Sequence, residues 1–437
     1  MRQYKKIILL LVITLRFSLA NDNNSLVLNL DDFIGKVNEH SIGLKLVAKE
    51  LNVAKANKKE AYSTALPKIF SQGGYTRNLN SFYMYLDMDM EGFPEKLKAN
   101  YDNNFELNTR LEQTLFSPIV GNAIKAAKQY ENMTKHIYNS GHLHIMIGAK
   151  KLFHQALLLN KVIEVNTNSE KNARKNFELT KTKFKAGTVS EMELYQAEVN
   201  WRNTIPELTL AEKNYQLALN NIKEMAGIDI SQKINIVGNL EKYPVIPEIP
   251  ELESVLKLRP DYKAMQWQSK LLKTNIRAKR SDYFPTLSGN ITHSYTSASD
   301  DLKLERENNL MMVGLSLNIP IWTGGYTKAQ VQKAKISFDK SRLEIKQSED
   351  AIEKDLENIK LTLEEAEARI DAASTILKTA EKGHNIAITS AENGLATQLE
   401  LKDARLLYNQ AQLGYYGAVL DYLMAYFDYE LIVGHTD

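Results

Sequence analysis

Cysteine is missing from this 437-residue chain. Its absence excludes disulfide bonds, thiolate metal ligands and a cysteine nucleophile, and it leaves no residue for a lipid-modified amino-terminal cysteine. A phosphate-binding glycine loop, a His-Glu-x-x-His motif and a nucleophile elbow are missing as well. We therefore expect no catalytic residue, no cofactor and no enzyme activity.

Histidines come nearest to a metal site. His142 and His144 are two positions apart, and His154 follows ten positions later. On a helix these spacings place the three side chains on different faces. We expect ordinary helix-surface or seam histidines, and we predict no metal site.

Net charge and long apolar runs are also missing. Lys and Arg number 55 against 53 Asp and Glu, for a net charge of +2, which gives no electrostatic reason to expect nucleic acid as a partner. Beyond residue 20, no apolar run approaches the roughly 18–20 residues of a membrane-spanning helix. A lipid-exposed chain without such helices can satisfy its backbone only as a closed β-barrel.

The first residues have the layout of a secretory signal. Three cations, Arg2, Lys5 and Lys6, precede an apolar run that ends at Leu15, and small residues follow before Ala20. We therefore predict a signal peptide over residues 1–20 and an exported protein. A retained anchor is disfavoured because the apolar run is short.

Proline is absent between Pro118 and Pro206 and again after Pro320. Both spans are rich in helix-forming residues, and residues 121–186 as one helix would reach roughly 100 Å. The second span carries a heptad repeat, which predicts a coiled-coil seam. Its positions are Ile345, Ile352, Leu356, Ile359, Leu363, Ala366, Ile370, Ala373, Leu377, Ala380, His384 and Ala387.

Four segments alternate between apolar and polar residues, as strands with one apolar face do. We predict strands over residues 67–79, 104–116, 286–296 and 311–322, with extracellular loops 80–103 and 297–310. Such strands suit a membrane barrel with its apolar side towards lipid, but a soluble sandwich has the same alternation. The signal peptide and the lack of a spanning helix favour the barrel.

The sequence also repeats itself. Gly187 precedes Glu193 at the spacing by which Gly394 precedes Glu400. Each half has the order helix, strand, loop, strand, long helix, turn, helix. We place the first repeat at residues 21–227, a proline-rich linker at 228–251 and the second repeat at 252–437.

Four long strands cannot close a barrel, and an open sheet in lipid leaves its edge groups unpaired at several kcal/mol each. Several copies are therefore needed, and three would give a 12-stranded barrel. The number three does not follow from the sequence alone.

A set of motifs resembles the TolC family of outer-membrane efflux proteins, the outer membrane factors, over essentially the whole chain after residue 20. The motifs are Arg259-Pro260-Asp261, Tyr283-Phe284-Pro285, Leu317-Asn318-Ile319-Pro320-Ile321-Trp322-Thr323-Gly324-Gly325, Phe184-Lys185-Ala186-Gly187-Thr188 and Asn393-Gly394-Leu395. The resemblance implies a mainly α protein with β strands. It would form a homotrimer with a 12-stranded barrel in the outer membrane of a Gram-negative bacterium and a coiled-coil α-helical barrel in the periplasm.

The resemblance also implies functional residues at two helical tips. A periplasmic adaptor (membrane fusion) protein would dock at the tip turns, which are Gly187, Thr188, Gly394 and Leu395. Glu400 and Asp403 would form acidic rings at the pore constriction, where they would attract cations, and Glu193 would belong to the gate network. Without the repeat and the resemblance, two solvated acids on an outer helix face are the favoured explanation of Glu400 and Asp403.

Two positions depart from the family's prototype. Ala391 stands where the prototype has a gate aromatic, and Ala396 stands where it has a gate arginine. The prototype's ion-pair latch is therefore not expected here, and closure would depend more on coiled-coil packing.

The predicted function is that of a passive exit duct in a tripartite efflux or type I secretion system. The implied partners are the adaptor, an inner-membrane RND or ABC transporter and outer-membrane lipid. The cargo would be drugs, small molecules or proteins, and the sequence does not say which. A non-conducting trimeric coiled-coil adhesin or envelope spacer is the alternative, although such a spacer needs neither the strand alternation nor the repeat.

Overall fold

The computed structural model describes residues 26–85 and 96–435. The predicted signal peptide and the middle of loop 80–103 lie outside these residues. The chain divides into two compact units. The helical unit contains the residues up to Lys49, Tyr138–Asp261 and the residues from Ser348 onwards, and the sheet unit contains Glu50–Ile137 and Tyr262–Gln347.

The elements of the first half follow one another in this order: β1 (Leu26–Leu28), α1 (Leu30–His40), α2 (Ile42–Ser63), β2 (Lys68–Arg77), β3 (Tyr83–Tyr85), β4 (Lys96–Lys98), β5 (Asn103–Phe116), α3 (Pro118–Lys185), α4 (Glu191–Arg202) and α5 (Thr204–Ala226). The second half begins with β6 (Ile234–Ile236) and α6 (Leu252–Leu258), and continues with α7 (Pro260–Ser281), β7 (Thr286–Ser299), β8 (Asn308–Asn318), α8 (Tyr326–Glu392) and α9 (Gln398–Val433).

The internal duplication is confirmed, because α2-β2-β5-α3-α4 in the first half has the same order as α7-β7-β8-α8-α9 in the second. α3 is 68 residues long and α8 is 67, so each proline-free span holds one long helix. The short parallel pair β1–β6 and the hairpin β3–β4 are not among the predicted strands. Within the described ranges, no helix is both long enough and apolar enough to cross a membrane.

The sheet unit contains a four-stranded sheet with the order β2-β5-β7-β8, and all neighbouring strands are antiparallel. The register aligns Ile69, Leu111, Ile291 and Val313 in one row across the four strands. Side chains alternate between faces along each strand, so the row belongs to one apolar face. That face is open: Ile69 is 69% exposed and Val313 is 75% exposed.

The opposite face of the sheet is mostly polar, with Phe70 and Met312 as apolar members of one row. One row on this face contains Lys68, Glu112 and Asn290, and another contains Gln72, Asn108 and Ser294. The ladder between β5 and β7 shifts register between Thr114 and Phe116, close to the end of the sheet that joins α3. The predicted period-two pattern therefore corresponds to a sheet with one apolar and one polar face.

The helical unit holds the predicted seam. Leu363 is completely buried, and Ile352, Leu356, Ile359, Ala366 and Ile370 are at most 6% exposed. Four seam residues, Ile359, Leu363, Ala366 and Ile370, share a core with side chains of α9, including the fully buried Tyr422. Large apolar residues at every third or fourth position thus give α8 one continuous buried stripe.

The start of the helical unit is fixed by a capped helix and an aromatic contact. The side chain of Asn29 caps α1 by accepting a 2.8 Å hydrogen bond from the N–H of Asp32. One turn later, Phe33 stacks on Phe153 of α3 with ring centroids 5.9 Å apart. Both rings are almost completely buried, so this contact joins the amino-terminal helix to the core.

Candidate functional site at the helical tips

Two tight turns reverse the chain in the helical unit, one between α3 and α4 and one between α8 and α9. Each contains a glycine in the left-handed region, with φ of +76° at Gly187 and +73° at Gly394. Residues with a Cβ rarely adopt this conformation. The two glycines therefore let both long helices stop and turn within a few residues, as the sequence predicts.

The same pair of hydrogen bonds closes each turn. The N–H of Gly187 donates to Phe184 O at 2.9 Å, and the N–H of Thr188 donates to Lys183 O at 3.0 Å. In the second tip, Gly394 donates to Ala391 O at 3.2 Å and Leu395 donates to Ser390 O at 2.7 Å. This is the Schellman arrangement, which satisfies the last carbonyls of a helix.

The helix that follows each turn begins with a side-chain cap. Ser190 caps α4 by accepting a hydrogen bond from the N–H of Glu193 at 3.3 Å, and Thr397 caps α9 by accepting one from the N–H of Glu400 at 3.2 Å. The Glu400 carboxylate also accepts from the Thr397 N–H at 2.7 Å, which completes a capping box. Glu193 and Glu400 therefore occupy equivalent positions in the two repeats.

The charge of Glu400 is stabilised by this cap. Hydrogen bonds from the N–H and then from the hydroxyl of Thr397 hold the pKa of the Glu400 carboxyl below its usual value, so the side chain is ionised at neutral pH. Glu400 and Asp403 are both exposed and lie three residues apart on α9, which places them on one helix face. A cation could approach both carboxylates from solvent.

The two tips are joined by side-chain contacts that differ from an ion-pair latch. Asn176 donates to the Gln398 side chain at 2.6 Å, and Gln398 donates to the Thr180 hydroxyl at 3.3 Å. Lys183 donates to the backbone carbonyl of Ala391 at 3.4 Å. None of these three contacts is an ion pair, and together they connect α3 to the second tip.

The three histidines that invite comparison with a metal site have separate partners. The His142 ring pairs with the Asn38 side chain at 3.0 Å, while His144 and His154 each pair with the backbone carbonyl four residues earlier. Throughout residues 26–85 and 96–435, no three His, Asp or Glu side chains are grouped as metal ligands would be.

Sequence reasoning missed two features of the tips. The two caps are visible in the sequence as Ser190 and Thr397, each followed three residues later by glutamate, although only Glu400 completes a capping box. The links from Asn176 and Thr180 to Gln398 join residues more than 200 positions apart, and the sequence gives no signal for them.

The duplicated fold and its glycine-turned tips can be compared with known proteins. A sequence profile described as "Outer membrane efflux protein" matches residues 34–228 and 252–434, one stretch in each repeat. The chain belongs to the outer membrane efflux protein family. It is therefore an outer-membrane protein that extends into the periplasm, and the predicted family and location are confirmed.

Individual relatives are distant. Nodulation protein T of Rhizobium leguminosarum is 24% identical over 272 residues, which cover 60% of this chain and 57% of that protein. The chain thus spans little more than half the length of this relative. Outer membrane protein TolC of Vibrio cholerae is 20% identical over 411 residues, which cover 90% of this chain and 89% of that protein.

A solved structure of the same fold is the CmeC outer membrane channel of Campylobacter jejuni. It superposes with a TM-score of 0.76 and 17% identity, and the match covers 93% of this chain and 85% of that one. At this identity the likeness establishes the fold. The predicted mainly helical protomer with long helices and four long strands is confirmed.

Proposed function

We propose that this chain is one protomer of a trimeric outer-membrane channel, the passive exit duct of a tripartite efflux or type I secretion system. The observation that carries the proposal is the sheet of β2, β5, β7 and β8, which has one exposed apolar face, one polar face and two open edges. A large exposed apolar face is unusual for a surface in water, and this face suits contact with lipid.

The open edges support assembly from several copies. β2 and β8 run in opposite directions because each neighbouring pair in the four-stranded order is antiparallel. The β8 edge of one copy can therefore pair with the β2 edge of the next as a further antiparallel neighbour. Such head-to-tail contacts close into rings, and three copies would place twelve strands around one hole. The polar face would line that hole.

The tips support the assignment of partners. In a trimer, Glu400 and Asp403 would bring six carboxylates to the narrow end of the duct, with Glu193 in the gate network. The turns at Gly187 and Gly394, with Thr188 and Leu395, would receive a periplasmic adaptor protein. The energy for export would come from an inner-membrane RND or ABC transporter, and the channel itself would have no enzyme activity.

Conductance in a planar lipid bilayer tests the channel. The purified protein should form discrete, cation-preferring channels that multivalent cations block from the periplasmic side. A protein that never conducts, even when mutation loosens the tips, would instead be a non-conducting adhesin or spacer.

The trimer has its own test, because a chain without cysteine allows introduced cysteines to react alone. Ser71→Cys in β2 should be combined with single cysteines placed along β8 from Met311 to Leu317. At one register, oxidation should give covalent dimers and trimers and nothing larger. Ser71→Cys combined with Asn290→Cys in the central strand β7 is the control and should give none. Covalent oligomers larger than a trimer, or no cross-link at any register, would contradict a closed trimer.

The acidic ring is tested by a charge-removing pair that preserves the cap. Glu400→Gln with Asp403→Asn should reduce cation preference and multivalent block, since glutamine at the third helical position still supports a capping box. Glu191→Gln, in the first turn of α4, is the control and should conduct like the unaltered protein. Unchanged selectivity in the double variant would remove Glu400 and Asp403 from the constriction.

A further inference from the structure

A cavity of about 120 Å³ lies in the helical unit next to the tips. Its walls come from α3, α4, α8 and α9, and they include Asn176, Lys183, His384, Gln398, Lys402 and Arg405. Since one water molecule occupies about 30 Å³ in the liquid, the cavity can hold a group of a few heavy atoms.

Arg405 is the unusual residue of this cavity. Its side chain is only 9% exposed, and its Nε has no hydrogen-bond partner within the described residues. Burial lowers the pKa of the guanidinium, and the charge of Glu207 acts against this effect. Arginine nevertheless remains protonated in proteins, so the cavity contains a desolvated positive charge.

Glu207 is exposed to solvent, and within the cavity wall the cations outnumber the anions. His384 is 6% exposed and stacks on Tyr408 at 5.3 Å, and its Nδ1 also lacks a partner among the described residues. Burial and the charge of Arg405 lower the pKa of His384, so its ring is neutral at neutral pH. Lys183 and Lys402 add further positive charge to the cavity wall, and Glu392 contributes a negative charge.

Polar side chains complete the site. The amide of Gln398 is held in place by Asn176 and Thr180, and hydrogen bonds of this kind fix the orientation of a polar wall. Positive charge in a small, partly desolvated space with fixed polar walls is the arrangement that binds an anionic oxygen ligand.

We propose that this cavity is an anion-binding site, in which Arg405 with Lys183 and Lys402 binds a small oxyanion or carboxylate between α3, α8 and α9. The anion would connect the end of the first long helix to the second tip, next to the Asn176–Gln398 contact. Its occupancy would therefore stabilise the tips in the arrangement described above. The site does not depend on the chain being a channel.

Calorimetry tests the proposal. Phosphate, sulfate and acetate are added separately to the purified full-length protein at matched ionic strength. Binding of one anion per protomer is expected. Arg405→Gln should weaken binding by about tenfold or more, as the loss of a charged hydrogen-bond donor does, and Lys402→Gln should weaken it less. Lys382→Gln changes an exposed cation of α8 that is not part of the cavity wall, and it should bind normally.

Hydrogen exchange of the unaltered protein provides a second measurement that needs no variant. Phosphate, but not chloride, should slow amide exchange in the peptides that contain His384 and Arg405. Tetrahedral anions bound in preference to acetate would assign the site to free oxyanions, and the opposite preference would assign it to carboxylates, including an acidic side chain of a partner. No binding by any of the three anions, or equal affinity in Arg405→Gln and Lys382→Gln, would overturn the proposal.

Discussion

Substitution of one tip glycine isolates the role of backbone conformation at the tips. In Gly394→Ala the added methyl group meets nothing within 4 Å, but the residue must keep a φ of +73°. The left-handed conformation costs a residue with a Cβ about 1–2 kcal/mol, while alanine restricts the unfolded chain and regains about 0.4–1 kcal/mol. The net expectation is a tip that is destabilised by about 1 kcal/mol.

Gly383 provides the matched control. It lies inside α8, where an added methyl group also meets nothing within 4 Å and φ is not positive. Alanine in a helix interior is favoured over glycine by about 0.8–1.0 kcal/mol. Gly383→Ala should therefore stabilise the helix that Gly394→Ala loosens, so two glycine-to-alanine changes eleven residues apart should have opposite signs.

Amide exchange measured by mass spectrometry can resolve the two effects. The N–H of Leu395, which donates to Ser390 O at 2.7 Å, reports directly on the turn. A change of about 1 kcal/mol corresponds to about a fivefold change in exchange rate. Exchange at the turn should be faster in Gly394→Ala, and exchange around residue 383 should be slower in Gly383→Ala. Unchanged or slower exchange at Leu395 in Gly394→Ala would show that the positive φ does not determine the stability of the turn.

Three further outcomes concern the helical unit. Leu363→Ala, at a completely buried seam position, should lower the free energy of unfolding by about 2–5 kcal/mol. Leu361→Ala, at a side chain that is 62% exposed, should change it by less than about 0.5 kcal/mol. Equal losses of the two variants in denaturant titrations would contradict the seam. Burial raises the pKa of Tyr422 to about 12, whereas a tyrosine in the unfolded chain ionises at about pH 10. The free energy of unfolding should therefore fall as the pH rises between these two values. Denaturant midpoints measured across this pH range should show the decrease, and Tyr422→Phe should make it smaller. Glu430 is buried and accepts a 2.9 Å hydrogen bond from Lys150, which is 14% exposed. Glu430→Gln should therefore cost about 3–5 kcal/mol, while Glu430→Met with Lys150→Met should cost less. Additive losses in the single variants would show that the two charges do not interact.

Local rules explain why much of the fold can be predicted. The heptad from Ile352 to Ile370 repeats a single requirement, that one stripe of a helix be buried, and those side chains are buried. Gly187 and Gly394 mark turns because few other residues adopt a positive φ. The period of two in β8 predicts an apolar face, since a strand alternates its side chains whatever its neighbours are.

Strand boundaries differ at the ends where the chain leaves the sheet. β7 extends to Ser299 and β8 begins at Asn308, so both strands enter the predicted loop 297–310, while β8 ends at Asn318 before the predicted limit of 322. These ends are set by pairing with a neighbouring strand, and a pattern within one segment contains no information about its partner.

Residue patterns along the chain are enough to predict the two repeats, the long helices, the buried seam, the tip glycines and the alternation of the strands, because each pattern can be recognised without knowing which segments pack together. The folded structure was needed for the strand order β2-β5-β7-β8, the link from Asn176 to Gln398 and the burial of Arg405, whose Nε has no hydrogen-bond partner among the described residues. These features join residues that are distant in sequence. Their positions depend on how whole helices and strands pack, and a charged side chain looks the same in the sequence whether packing leaves it in water or encloses it.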